Sequence, residues 1–394
     1  MTFRKWECLL VAAVLLGGCS ASAPQNLRSG DARRLPGPLP ETSSSTPFSD
    51  QEVRDFLTSV AKAEGISDPL QRCLKYPDPP GSHWSKAAIE AYCQYRLQPV
   101  IEFTEVKALV NAGHASELDS RLAAVLNEEF TKPERRGALE RQFAATFSDV
   151  SPYMRATLDE WKRQSPDSAF AYAASGFNYE SAAFEARGKK EADVTPAANF
   201  ESMNQLAALA VVDLQKSLRI NARVMPAYAK LIEITAAQGD TRDAIDIAHA
   251  GLAVDPTNFY IYSHLLWSVE PRWGGSKEVQ KSVVASAQAH AAQNPVLLLL
   301  QSQARIDAAN LWTCDCESPA ERNAYRFALD EVASADDLRK VGANASDNNQ
   351  QATAAVFLSE AVRFDSQNEE VSDARTSAVN AFMHDSPTWP LTSP

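Results

Sequence analysis

Six histidines and six cysteines are the residues of this sequence best suited to acid–base, metal or redox chemistry. The chain has no HExxH zinc motif, no phosphate-binding loop, no GxSxG elbow and no GxGxxG motif. Its histidines stand singly on different predicted elements: His83, His114, His249, His264, His290 and His384. A lone histidine on a helix is more often a surface or core residue than a catalyst. The sequence therefore predicts no catalytic residue, no metal and no other cofactor.

Cys19 has the most specific chemical context of the cysteines. It follows a basic pair, Arg4 and Lys5, and an apolar run at 9–16. A helix that spans a bilayer needs about 20 residues, so this run fits the apolar part of a secretory signal instead. Small residues complete the string Leu16-Gly17-Gly18-Cys19.

This string resembles the lipobox of bacterial lipoproteins, in which the cysteine is acylated and becomes the mature N-terminus. The alternative is an ordinary cleaved signal in which Cys19 is incidental. Because Ser20 follows rather than Asp, the resemblance to the enterobacterial sorting rule implies the outer membrane, facing the periplasm. We expect residues 1–18 to be the signal peptide. The Pro/Ser-rich residues 19–47 are then the lipidated cysteine and a flexible tether.

Four cysteines remain after the signal and the lipidated residue: Cys73, Cys93, Cys314 and Cys316. An even number in an exported chain indicates disulfides, and a local pairing of 73 with 93 and of 314 with 316 is the simplest. The Cys314-Asp315-Cys316 string leaves three interpretations open: a static bridge, a redox or metal pair, or pairing elsewhere in the chain.

Composition restricts the class of protein. Lys and Arg number 38 against 50 Asp and Glu, so the formal net charge is −12. Nucleic-acid binding needs a basic face, and the sequence therefore predicts no nucleic-acid partner. With 45% hydrophobic residues the chain can bury a core.

Amphipathic patterns begin at Ser49, where Ser49 and Glu52 form a predicted capping box. Helical periodicity then predicts helices over 85–95, 100–111, 116–130, 134–147, 154–163, 168–187 and 197–220. No segment alternates convincingly as a strand does, so we predict an all-α fold.

Residues 225–258 form a 34-residue unit that resembles the tetratricopeptide repeat (TPR). Tyr228, Ala244 and Pro256 stand where that repeat has its large aromatic, its small residue and its terminating proline. Gly251 replaces the usual Ala, and we expect looser packing there. A second unit covers 335–368, and 369–384 is the expected capping helix. The resemblance implies a TPR-like α-solenoid of helical hairpins.

Two further strings resemble an uncharacterised bacterial family with TPR-like hairpins that is known only as a domain of unknown function. They are Ala186-Arg187-Gly188 and Pro271-Arg272-Trp273-Gly274-Gly275-Ser276. The likeness covers roughly 154–294, and Phe184 stands where members often have Trp. Because the role of that family is unknown, the resemblance implies a fold but no chemistry.

Arg187, Arg272 and Trp273 are the candidate residues for binding a ligand or partner. Arg272 and Trp273 would offer a cation and an aromatic surface in a groove. The competing interpretation is structural: Trp273 fills the gap made by a longer turn while Arg272 binds carbonyl groups at a helix end, and Arg187 is a cation at the C-terminus of its helix.

The predicted domains are a helical N-terminal region at 48–163 with a probable disulfide, a TPR-like repeat domain at 164–384, and a tail at 385–394. We expect a lipid-anchored envelope scaffold that binds a protein or peptide partner. One alternative is a small-ligand receptor or an enzyme of unrecognised type with a site near Arg187, Arg272 and Trp273. Another is a thiol–disulfide role for Cys314 and Cys316.

Overall fold

The computed structural model describes residues 47–190, 192–308 and 319–385, with backbone only for Arg272, 319–324 and Asp385. The described part is helical and contains no strand, which confirms the all-α prediction. Its α-helices are α1 (Asp50–Glu64), α2 (Pro69–Lys75), α3 (Lys86–Arg96), α4 (Phe103–Asn111), α5 (Ala115–Thr131), α6 (Ala138–Thr146), α7 (Pro152–Gln164), α8 (Ala169–Arg187), α9 (Ala197–Ile220), α10 (Met225–Ala237), α11 (Thr241–Val254), α12 (Phe259–Ser268), α13 (Lys277–Gln288), α14 (Leu299–Ala308), α15 (Pro319–Asp330), α16 (Ala335–Asp347), α17 (Gln351–Phe364) and α18 (Glu369–Asp385). Within these residues no helix is long and apolar enough to cross a bilayer.

The helix starts follow local sequence chemistry. Ser49 and Glu52 form the predicted capping box, which satisfies two backbone N–H groups at the start of α1. Ser168 caps α8 in the same way, since its Oγ accepts a hydrogen bond from the Ala171 N–H. Between α10 and α11 the chain turns at Gly239, whose φ of +83° lies in the left-handed region that favours glycine.

Successive helices pair and stack from α8 onward. The pairs are α8 with α9, α10 with α11, α12 with α13, α14 with α15 and α16 with α17. The first helix of each pair also contacts the first helix of the next, through the order α8, α10, α12, α14, α16 and α18. Each hairpin therefore buries its apolar faces against its neighbours.

The helices of residues 48–163 do not share one core. Side chains of α4–α7 pack in one apolar cluster with α8–α10. Those of α1–α3 pack in another with α14–α18. Polar contacts support the second arrangement: Trp84 Nε1 donates to the Ala328 carbonyl at 2.9 Å, and Arg96 Nε to the Phe364 carbonyl at 3.0 Å. Helices from the two ends of the described chain thus lie against each other.

Helix α17 is the most enclosed element, since every residue from 353 to 364 is buried. Arg363 near its end donates through Nε to the Cys73 carbonyl at 2.8 Å. Cys73 itself forms a disulfide with Cys93, with a Cα–Cα distance of 5.9 Å. The stapled segment between α2 and α3 is therefore fastened directly to α17.

Candidate functional site

A line of polar side chains connects the first helices of five successive hairpins. Glu180 Oε2 of α8 lies 3.2 Å from Lys230 Nζ of α10, and Glu233 Oε1 of α10 lies 3.0 Å from His264 Nε2 of α12. Further along, Ser263 Oγ donates to Gln303 Oε1 of α14 at 3.1 Å, and Asp307 Oδ1 lies 3.7 Å from Lys340 Nζ of α16. We call these eight residues the polar row. Lys230 and Glu233 on α10, and Gln303 and Asp307 on α14, are three or four residues apart and share one side of their helix, whereas Ser263 and His264 are consecutive residues of α12.

Lys230 is the central cation of the polar row. Its Nζ lies 2.5 Å from Glu233 Oε2 and 4.4 Å from the centre of the Phe177 ring. Burial lowers the pKa of Lys230, but the charges of Glu180 and Glu233 outweigh this and raise it well above the ordinary value. The ammonium group is therefore fixed as a buried positive charge.

The pKa values of the two carboxyl groups beside Lys230 shift in opposite directions. Burial raises the pKa of Glu180 well above its usual value, against the lowering effect of Lys230. Burial also acts on Glu233, but the positive charges of Lys230 and His264 hold its pKa well below the usual value. Glu233 is therefore the more acidic of the two.

His264 is oriented by both of its ring nitrogens. Nδ1 lies 2.7 Å from the Tyr260 carbonyl, which can only accept, so Nδ1 carries a proton. Nε2 lies 3.0 Å from Glu233 Oε1. The ring therefore bridges α10 and α12.

A second buried acidic pair lies where α5 and α6 meet the start of α12. Glu129 Oε2 accepts from the Leu139 N–H at 2.7 Å, and Glu140 Oε1 accepts from Asn258 Nδ2 at 2.6 Å. The remaining oxygen of each carboxyl group is buried without a donor. Burial, and then the neighbouring Glu140, raise the pKa of Glu129 well above its usual value. The pair therefore shares a proton between two carboxyl groups.

Arg187 lies at the end of α8, where its Nη1 donates to the carbonyls of Gly188 and Lys190, each at 3.1 Å. Its guanidinium also lies over the Phe200 ring, 5.5 Å from the centre. These contacts match the structural interpretation of Arg187, because they fasten the loop that follows the helix.

Trp273 lies in the turn between α12 and α13. Its ring centre is 4.9 Å from that of Trp267, and its carbonyl accepts a short hydrogen bond from Thr241 Oγ1 at the start of α11. At Gly275 an added Cβ would stand 1.9 Å from the Val269 carbonyl, so this turn requires glycine. The hairpin α10–α11 separates Arg187 from Trp273 along the stack, since α10 contacts both α8 and α12.

Several predicted residues lie outside the described part. These are the Arg272 side chain, Cys314, Cys316, Cys19 with the signal peptide and tether, and the tail at 386–394. Among the side chains that are described, no three His, Cys, Asp or Glu residues come together as metal ligands.

Sequence reasoning missed the polar row, although a signal was present. Lys230 interrupts the apolar run MPAYAKLIEI, and Glu360 interrupts AAVFLSEAV. A single charge in an otherwise apolar helix predicts a buried ion pair, because an unpaired charge cannot be buried without a large cost.

The fold and the polar row define a protein of stacked helical hairpins with a charged line along its first helices. Residues 102–242 match the model of a family described as Domain of unknown function (DUF4034). The match includes Arg187 but begins before residue 154 and ends before the turn at 271–276, so it does not have the expected span of 154–294. No curated protein and no solved structure is similar to the chain.

Proposed function

We propose that this protein is a lipid-anchored scaffold of the bacterial envelope that binds a protein or peptide partner along the polar row of a TPR-like stack. The single observation that carries the proposal is the continuity of the row. Four interhelical contacts extend it from α8 to α16. An extended line over several helices suits an extended partner better than a compact substrate.

Exposure along the row is modest and uneven. The side chains of Glu180 and Lys230 are 4% and 11% exposed, and those of Glu233, His264, Asp307 and Lys340 are 22%, 13%, 9% and 17% exposed. Helix α5 contacts α8, and α6 contacts α10. In the proposal the partner therefore contacts the row from Glu233 and His264 toward Gln303 and Lys340.

The net charge of the protein, rather than that of the row, favours a partner with basic side chains. The row itself carries both signs, since Lys230 and Lys340 stand beside Glu233 and Asp307. The protein as a whole is acidic, with a formal charge of −12. Electrostatic attraction then speeds the encounter with a basic segment at low ionic strength.

Site-specific photo-crosslinking in cells tests the binding face. A photoreactive residue at Ser263 or Gln303 should capture a defined partner, because both side chains lie on the part of the row that the partner contacts. His249 on α11 is exposed on the second helix of its hairpin and serves as the matched control. Crosslinks of equal yield at all three positions, or at none, would contradict the proposed face.

The anchor is tested separately. In the proposal Cys19 carries the acyl chains, and two or more chains hold a protein stably to a bilayer where one does not. Cys19→Ala should move the protein from the membrane fraction to the soluble fraction and abolish labelling by an alkyne fatty acid. Cys8→Ala, within the signal, is the control and should leave both unchanged.

A further inference from the structure

A cavity of about 250 Å³ lies between the N-terminal and C-terminal helices, apart from the polar row. One wall is the face of α2 that carries Pro69, Arg72 and Tyr76. The opposite wall is the face of α18 that carries Ser372, Arg375 and Thr376. Spacings of three, four and seven residues place each set on one side of its helix.

Guanidinium groups dominate this cavity. Arg72, Arg363 and Arg375 all line it, and Glu64 is the single carboxylate among its lining residues. Three arginines around one small cavity are unusual in a chain with a formal charge of −12.

The three arginines differ in how their charge is balanced. Arg363 pairs with Asp78 at 2.9 Å, and Arg375 pairs with Glu64 through a short contact. Arg72 instead donates to two carbonyls, those of Ile66 at 2.9 Å and Ser67 at 3.3 Å. No described carboxylate forms an ion pair with it. Three cations thus face two ionised acids.

Glu360 lies behind the cavity and pairs with Arg363 rather than with Arg72, since Arg363 Nη1 is 3.1 Å from Glu360 Oε2. It is fully buried, and burial raises its pKa to about 8. The positive charge of Arg72 is therefore left for solvent or a ligand.

The lining also supplies hydroxyl groups. Tyr76 Oη donates to Glu64 Oε1 at 3.3 Å, so the Glu64 carboxylate already accepts the hydroxyl proton at that edge of the cavity. Ser372 brings a further hydroxyl group from α18, whereas the hydroxyl of Thr376 donates to the Ser372 carbonyl at 2.8 Å. Guanidinium and hydroxyl donors around a small space are the chemistry that recognises carboxylate and phosphate.

We propose that this cavity binds a small oxyanion, a carboxylate or a phosphate, between α2 and α18. Since each water takes about 30 Å³, the space suits a ligand of roughly eight heavy atoms or fewer. Arg72 provides the unbalanced charge, and Arg375 is shared between Glu64 and the ligand. Bound anion bridges the two ends of the described chain and stabilises their contact.

Calorimetric titration of the full-length chain with inorganic phosphate and, separately, with succinate tests this proposal. At least one probe should bind at millimolar concentration and raise the melting temperature. Phosphate alone would assign a phosphate ligand, succinate alone a carboxylate, and both together any small oxyanion. Absence of binding by either probe would overturn the proposal.

Variants locate the binding. Arg72→Gln should weaken it by about tenfold or more, as expected for a lost charge-assisted pair. Arg242→Gln, an exposed arginine on α11, is the matched control and should bind as the wild type does. Because Arg72 also donates hydrogen bonds to two carbonyl groups, Ser372→Ala serves as a second variant and should weaken binding severalfold while the chain stays folded. Unchanged binding in the folded Ser372→Ala and Arg72→Gln variants would contradict the assignment.

Discussion

The hairpins α10–α11 and α16–α17 share one 34-residue pattern but bury opposite helices. In the first, most of α10 is buried, whereas α11 buries only Ala244, Ala248 and Gly251. In the second, it is the second helix, α17, that is buried at every position from 353 to 364. The difference arises from the N-terminal helices: α6 contacts α10, whereas α1, α2 and α3 contact α17. The 34-residue pattern therefore predicts each hairpin, but contacts with distant helices determine which of its two helices is buried.

Removing the cation of α10 has the largest expected effect. In Lys230→Ala the ionised Glu233 loses its buried partner, and a broken buried pair costs about 3–5 kcal/mol. Urea unfolding should show this loss in the free energy of unfolding. Lys281→Ala, on the exposed side of α13, is the control, and an equal effect of both variants would contradict the buried-pair account.

Removing the Cys73–Cys93 disulfide tests whether α1–α3 protect α17. Cys73→Ser combined with Cys93→Ser opens a loop of sequence separation 20, and closure of such a loop is worth about 3 kcal/mol. The double variant should unfold at lower urea and expose residues 351–364 to protease before 241–254. Preferential cleavage of the α10–α11 hairpin instead would show that α1–α3 do not protect α17.

The space around one glycine in each hairpin shows how closely its helices pack. A Cβ at Gly342 would stand 2.7 Å from Leu358 Cγ and 3.2 Å from the Leu358 backbone nitrogen, which cannot move aside easily. Gly342→Ala should therefore cost about 1–3 kcal/mol. Gly251→Ala, whose nearest neighbour is the flexible end of Ile261 at 2.5 Å, should cost less. Gly65→Ala is the control with no contact under 3.4 Å. Equal losses at all three positions would contradict this ranking.

The smallest expected effect is a pH dependence of the free energy of unfolding, which arises from the proton shared by Glu129 and Glu140. Burial raises the pKa of both groups above the ordinary 4.5, so the folded pair keeps a proton that the unfolded chain releases. Its stabilisation is complete below about pH 4.5 and is lost as pH rises through the folded pKa, at up to about 1.4 kcal/mol per pH unit.

Glu140→Gln should flatten this slope, because the amide of Gln can donate to Glu129 without a titrating proton. The measurement is the free energy of unfolding at several values between pH 5 and pH 8, for both proteins. Other buried acids contribute equally to both, so the difference in slope isolates the pair. Parallel slopes would rule out a shared proton.

The sequence predicted the helices and several of their caps because these depend on neighbours within one turn. Ser49 and Glu52 act locally, and the structure confirms their capping box. At Gly251 itself the packing is close rather than loose, because Ile261 and Tyr228 fill the space that a larger residue would need. A glycine can mark close approach as readily as a gap.

Hydrophobic periodicity in the sequence predicts neither the polar row nor the helices that pack over α17. Both depend on pairs far apart in the chain, such as Glu180 with Lys230 and Cys73 with Arg363. Periodicity shows that a helix has an apolar face but does not identify the helix that covers it. The interrupted apolar run at Lys230 is a signal for a buried ion pair, but it does not identify the partners.

Hydrogen exchange of the native protein tests most directly the claim that distant helices distinguish the two hairpins. Amides of α17 should exchange much more slowly than those of α11, because α17 is enclosed and α11 has one face in solvent. In the Cys73→Ser/Cys93→Ser variant the protection of α17 should fall while that of α11 stays the same. Equal protection of α11 and α17 in the native protein, or an equal loss in both, would contradict the account.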